Sequence, residues 1–279
     1  MLLLKSFKEL NEFRNTIKTS DILGFVPTMG ALHKGHISLV DIACEESDVV
    51  LVSIFVNPTQ FNDPADLKRY PRNIDADLKL LSQTCVGAVF IPEIEDIYPE
   101  PDQRIFDFGN LTNIMEGSQR PGHFNGVAQV VSRLFDMVKP LKAFFGEKDF
   151  QQLAVIKKLV KLMDYNIEIV PCPTIREDDG LAMSSRNTLL NPEQRVKAPL
   201  IYKTLLKARE IYKEKSVEEL KEWLTDSLNA QALFKVEYFE IVDDHELTAV
   251  KSWEWNGMKR GCIAVKIGNI RLIDNIIFD

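Results

Sequence analysis

Short apolar runs alternate with segments whose apolar residues recur every three to four positions through the first 175 or so residues of the chain. Runs at 22–26, 49–56, 88–91, 143–145 and 168–170 read as buried strands. Helical spacing occupies 36–46, 65–83 (with Leu67, Leu78 and Leu81), 126–138 and 151–163. This alternation predicts a parallel sheet covered by helices on both faces, with ligands beyond the carboxyl ends of the strands. The loops leaving three of those ends carry His33 and His36, then Asn57 and Gln60, then Gly146 to Gln152, so three loops are expected at one crevice.

The pattern changes after about Ile175. Asn191-Pro192-Glu193-Gln194 and Ser216-Val217-Glu218-Glu219 each combine a cap residue with a Gln or Glu three positions on, which opens a helix. Alternating strands follow near 236–242, 262–267 and 270–273, with a turn signal at Asn256-Gly257. The expected organisation is a Rossmann-like, doubly wound parallel α/β sheet over residues 1–175 and a second, smaller α+β lid domain over 176–279. The turn Glu177-Asp178-Asp179-Gly180 is the expected hinge.

With 279 residues, 45% of them hydrophobic, the chain can bury a sizeable core. A net charge of −7 offers no broad attraction to nucleic acid and favours a small-molecule substrate. The apolar start at Met1 to Leu4 meets Lys5, Lys8 and Glu9 at once, which argues against a signal peptide or membrane span and for a cytoplasmic location. Cys44, Cys85, Cys172 and Cys262 stand singly in apolar segments and read as buried free thiols.

Candidate chemistry centres on Pro27-Thr28-Met29-Gly30-Ala31-Leu32-His33-Lys34-Gly35-His36, which sets two imidazoles where a strand hands over to a helix. Backbone N–H groups and the positive end of the helix dipole stabilise an anion there, and imidazoles add directed hydrogen bonds. A two-histidine metal site is the competing reading, but no third ligand stands nearby. Neither G-x-x-x-x-G-K-[ST] nor G-x-G-x-x-G occurs. Met183-Ser184-Ser185-Arg186 offers two hydroxyls and a guanidinium for phosphate oxygens, or simply a helix cap. Gly146-Glu147-Lys148-Asp149 sets a cation at a strand end, or merely solvated charge. His123 either orders a substrate-side loop or bonds within it, and Asn57 either ties its own Asn-Pro turn or lines a pocket.

H-x-G-H after P-T-M-G resembles nucleotidylyltransferases and class I aminoacyl-tRNA synthetases. Together with Phe25 to His36, Ser53 to Phe61, Tyr70-Pro71-Arg72, Arg120 to Phe124, Phe145 to Gln152 and Ile175 to Asn187, the chain resembles the pantothenate synthetase (pantoate–β-alanine ligase) family over almost its full length. The resemblance implies ATP-dependent condensation of (R)-pantoate with β-alanine through a pantoyl adenylate, with Mg2+ accompanying ATP, and a homodimer. It assigns ATP contacts to Met29, Gly30, Ala31, Leu32, His33, Lys34, Gly35, His36, Gly146, Glu147, Lys148, Asp149, Ile175, Met183, Ser184, Ser185 and Arg186. His36 is implied as proton donor with His33 beside it, Gln60 and Gln152 as pantoate ligands, and Gln60 also as a β-alanine contact. The family's acidic pair near the metal is interrupted here by Ala76, between Asp75 and Asp77, so no protein ligand to Mg2+ is carried over.

Overall fold

The apolar runs of the first half form parallel strands. In the computed structural model, which describes all 279 residues, the chain divides into two compact units, residues 1–147 with 155–173 and residues 148–154 with 174–279.

The first unit holds β1 (Leu2–Leu4), α1 (Phe7–Arg14), β2 (Leu23–Thr28), α2 (Lys34–Glu46), β3 (Val49–Ile54), α3 (Pro64–Arg69), α4 (Ile74–Leu81), β4 (Ala88–Phe90) and α5 (Ile94–Ile97). It continues through α6 (Met115–Gln119), α7 (His123–Val138), β5 (Lys142–Gly146), the greater part of α8 (Phe150–Leu162) and β6 (Glu168–Cys172). Its Rossmann-like sheet has the order β1-β4-β3-β2-β5-β6, parallel throughout, with Phe25 level with Leu51 on one side and Ala143 on the other. Phe25, Leu51, Phe90 and Phe144 are fully buried, as strands covered on both faces require. The chain order reverses at β2, which places the loop after β2 at the switch point where such sheets bind ligands.

One irregular stretch is held by a helix. From α7, Asn125 and Gln129 donate through their amides to the carbonyl of Arg104, and the guanidinium of Arg133 pairs with Asp102 at 2.7 Å. Three side chains one helical turn apart thus replace the hydrogen bonds that a sheet would give residues 102–106.

Two expectations are corrected. The 65–83 segment is two helices, because Tyr70 adopts an extended conformation ahead of Pro71, whose ring disfavours helix at the preceding residue. Cys44 and Cys85 are joined in a disulfide, with Cα atoms 6.0 Å apart, whereas Cys172 and Cys262 are buried free thiols. The bond links the end of α2 to the loop before β4, a proximity created by the sheet and invisible in sequence spacing. Burial pushes the Cys172 thiol up to about 12, so it stays protonated. β1 and α1 were not anticipated. A three-residue edge strand with only Leu4 buried and an eight-residue helix with only Leu10 and Phe13 buried carry little periodic signal.

The second unit contains the start of α8 and α9 (Pro192–Lys197), α10 (Leu200–Ile211), α11 (Val217–Asn229), β7 (Phe234–Asp243), β8 (Lys259–Ile267) and β9 (Ile270–Phe278). The strands form an antiparallel sheet in the order β7-β8-β9. Leu205, Leu220 and Leu224 from the helices pack with Ile263, Val265 and Phe278 of the sheet. Both anticipated capping boxes, at Asn191 and Ser216, are formed.

Candidate active site

After β2 the backbone turns left-handed at Gly30 (φ +77°) and Ala31 (φ +50°) before His33 opens α2. The Nδ1 of His33 accepts from the Gly35 N–H at 3.1 Å, and the Nδ1 of His36 accepts from the His33 N–H at 3.3 Å. Two imidazoles thereby make the reciprocal cap usually built from Ser or Thr with Glu. Acceptor roles at both Nδ1 atoms assign neutral rings carrying the proton on Nε2, with ring centroids 4.1 Å apart. At this turn the N–H groups of His33 and Gly35 serve the imidazoles, and those of Ala31 and Leu32 serve Asp77.

Gln60 lies in a short turn after β3, 9% exposed. Its Oε1 accepts from Asn57 Nδ2 at 3.2 Å and its Nε2 donates to Met29 Sδ at 3.1 Å, so this amide meets the loop after β2. Asn57 also accepts from Thr59 and from Tyr98 Oη, which makes it the tie of its own turn and an orienter of Gln60. His123 Nδ1 and Arg120 Nη2 both donate to the Gln60 carbonyl, at 2.8 and 3.2 Å, so His123 orders this turn from the start of α7. Gly126 lets α7 lie flat against it, since a Cβ there would meet the Thr59 carbonyl oxygen at 2.5 Å. Gly146 and Glu147 stand at the end of β5 in this same unit, and β5 neighbours β2.

Lys148, Asp149, Gln152, Ile175 and Met183 to Arg186 belong to the second unit. Lys148 is mostly buried and its ammonium lies 4.0 Å from Asp149, while its carbonyl accepts from Asn275 Nδ2 at 3.2 Å. Residues 175–183 fold back on themselves, with the Met183 N–H donating to the Ile175 carbonyl at 3.0 Å. Ser184 caps the short turn Ser185–Leu189 by accepting from the Arg186 N–H, so the capping role weighed for this serine is real. Arg176 at the base of the loop forms a two-pronged ion pair with Asp274, at 2.6 and 2.8 Å, and stacks 3.4 Å over Tyr202.

The family model for pantoate-beta-alanine ligase matches residues 3–277. The chain belongs to the pantoate–β-alanine ligase family. It is 53% identical over 257 residues to a pantothenate synthetase of Porphyromonas gingivalis, covering 92% of each chain. It is 49% identical over 277 residues to that of Bacteroides fragilis, covering 99% of this chain and 98% of the relative. Among solved structures, a pantothenate synthetase of Thermus thermophilus superposes with a TM-score of 0.92 at 43% identity, covering 99% of both chains. The pantoate-beta-alanine ligase of Francisella tularensis, complexed with beta-gamma ATP and beta-alanine, gives a TM-score of 0.82 at 39% identity, covering 99% of this chain and 97% of that one.

As a member of this ligase family, the chain also carries supports that its motifs do not announce. Asp274 and Asn275 hold the base of the 176–186 loop and the backbone of Lys148. The one available signal was the polar pair Asp274-Asn275 set between apolar residues of β9; both are buried in the structure, and buried polar groups require partners. Neither member of the acidic pair suits the Mg2+ that the family resemblance implies. Both Asp77 oxygens accept backbone N–H groups and Asp75 is exposed, so a magnesium ion brought with ATP would rely on phosphate oxygens. No group of three or more His, Cys, Asp or Glu is arranged to hold a metal ion.

Proposed function

We propose that this ligase couples (R)-pantoate to β-alanine at the expense of ATP, through an enzyme-bound pantoyl adenylate. A pantoate carboxylate oxygen attacks the α-phosphorus and diphosphate departs. The neutral amine of β-alanine then attacks the acyl carbon, AMP leaves with the acyl oxygen, and the amine proton is lost. The product is pantothenate, a precursor of coenzyme A.

The observation that carries this reading is the reciprocal cap of His33 and His36, which fixes two Nε2–H donors at a helix start beside the sheet's switch point. Charge that grows on equatorial and leaving-group oxygens is stabilised by donors held in place beforehand. We assign that task to His33, His36, Lys148 and Arg186, with His36 donating a hydrogen bond through Nε2–H to the departing diphosphate and residues 29–36, 146–149, Ile175 and 183–186 lining the nucleotide. Gln60 and Gln152 orient pantoate, and Gln60 also meets β-alanine. An amide suits this because it offers both a donor and an acceptor without placing negative charge beside a carboxylate nucleophile. Mg2+ accompanies ATP in this reading. In this reading the enzyme works in the cytoplasm and is a homodimer. No helix is long and apolar enough to cross a membrane.

The test is isotope exchange. Labelled diphosphate should enter ATP only when pantoate is present, and AMP should appear only after β-alanine is added. Exchange that ignores pantoate, or a product that retains the nucleotide, would replace the ligase reading with an adenylyltransferase.

A further inference from the structure

The loop ahead of the paired imidazoles is built around a carboxylate from another element. Asp77, in the first turn of α4, is 2% exposed. Its Oδ2 accepts from the Ala31 N–H at 2.9 Å and its Oδ1 from the Leu32 N–H at 2.7 Å. Consecutive N–H groups of a left-handed turn form a concavity suited to an anion, and hydrogen bonds to an ionised acceptor are about twice as strong as neutral ones. Ala31 is a non-glycine residue at φ +50°, a conformation that persists only where its surroundings impose it. Gly30 completes the fit, because a Cβ there would stand 3.0 Å from Asp77 Oδ2 and 3.1 Å from Ile54 Cγ2.

We propose that Asp77 is a positioning residue: its carboxylate is the anion around which Gly30, Ala31 and Leu32 wrap, and it sets the position of His33 and His36 before any nucleotide arrives. Leu32 precedes the cap residue directly, so a shift of its N–H moves the His33 backbone and with it the N–H that His36 accepts. This role is distinct from metal binding, since both carboxylate oxygens are engaged by the backbone. It rests on the ligase reading only for what the positioned imidazoles do.

The test substitutes Asp77→Asn, which keeps the shape but offers one acceptor oxygen and turns an NH2 group toward the other N–H. Three readouts separate positioning from bulk stability: hydrogen exchange of residues 29–33 without nucleotide, the KM for ATP against that for pantoate in diphosphate exchange, and thermal unfolding. Expected are faster exchange confined to that segment, an ATP KM raised about tenfold or more, as the loss of one buried charge-assisted bond implies, and a pantoate KM within about twofold of the parent, on the same scale. Asp75→Asn, an exposed neighbour, should change none of these. Unaltered hydrogen exchange and ATP KM in a folded D77N protein would overturn the proposal, as would an activity loss that merely tracks the unfolded fraction. Should D77N fail to fold, Gly30→Ala approaches the same contact from the loop side and must raise the ATP KM, and a folded G30A protein with the parental value sinks the idea. Absence of pantoate-dependent exchange in the parent protein would instead defeat the ligase reading, leaving the hydrogen-exchange arm to judge Asp77.

Discussion

At the scale of single residues, the Nδ1 of each imidazole in the H-x-G-H motif caps α2, so His36→Ala should cost about 1 kcal/mol of stability through the lost cap. Under the proposed ligase chemistry its Nε2–H has a second task. Diphosphate exchange should fall much further, by about two orders of magnitude or more, as for loss of a preorganised donor. Denaturant melts and exchange rates on one preparation check both numbers, and a rate loss no larger than the stability loss implies would reduce His36 to a cap. The motif was legible because its residues are contiguous and their spacing matches a helical turn. Asp77, His123 and Asn275 were not assigned their contacts from sequence, because a carboxylate, an imidazole or an amide that binds distant backbone leaves no spacing to read.

At the scale of elements, β-branched and aromatic runs announced the central strands, but apolar spacing carried straight across Tyr70-Pro71 and merged α3 with α4. The close approach of α7 to the Gln60 turn was equally hidden, since one glycine among many does not declare what it touches. Gly126→Ala must push that turn away, and the expected result is a raised pantoate KM with a destabilisation of about 1–3 kcal/mol, the range for overpacking. An unchanged pantoate KM would show that the turn relaxes without moving Gln60.

α7 also pins the 102–106 stretch. The Arg104 guanidinium, against burial and together with Arg133, holds the Asp102 carboxyl far below its ordinary value near 3.8. A depressed native pKa favours the folded state above that ordinary value, and the benefit disappears as acid carries the group through its native pKa. Asp102→Asn should therefore cost on the order of 2–3 kcal/mol near neutral pH, discounted for the partial exposure of Arg104 and Arg133. The gap to the parent should close in acid, and pH-dependent unfolding curves that stay parallel would argue against this account.

For the whole molecule, the parallel sheet and the antiparallel sheet after about residue 175 were both readable, because period-two and period-3.6 patterns switch along the chain. What the chain does not advertise is its covalent link. Cys44 and Cys85 stand 41 positions apart, and closing a loop of that length restricts the unfolded chain by about 4 kcal/mol on the chain-entropy account. Thiol titration in denaturant should count two of the four cysteines before reduction and all four after it. Reduction, or Cys85→Ser, should lower the melting temperature by several degrees, about what that energy implies for a chain of this size. Because Cys85 is exposed, small thiols can reach the bond. Heat tolerance would then follow the electron balance of the surrounding solution, making a melting curve a reporter on the cell's reducing power as much as on the protein.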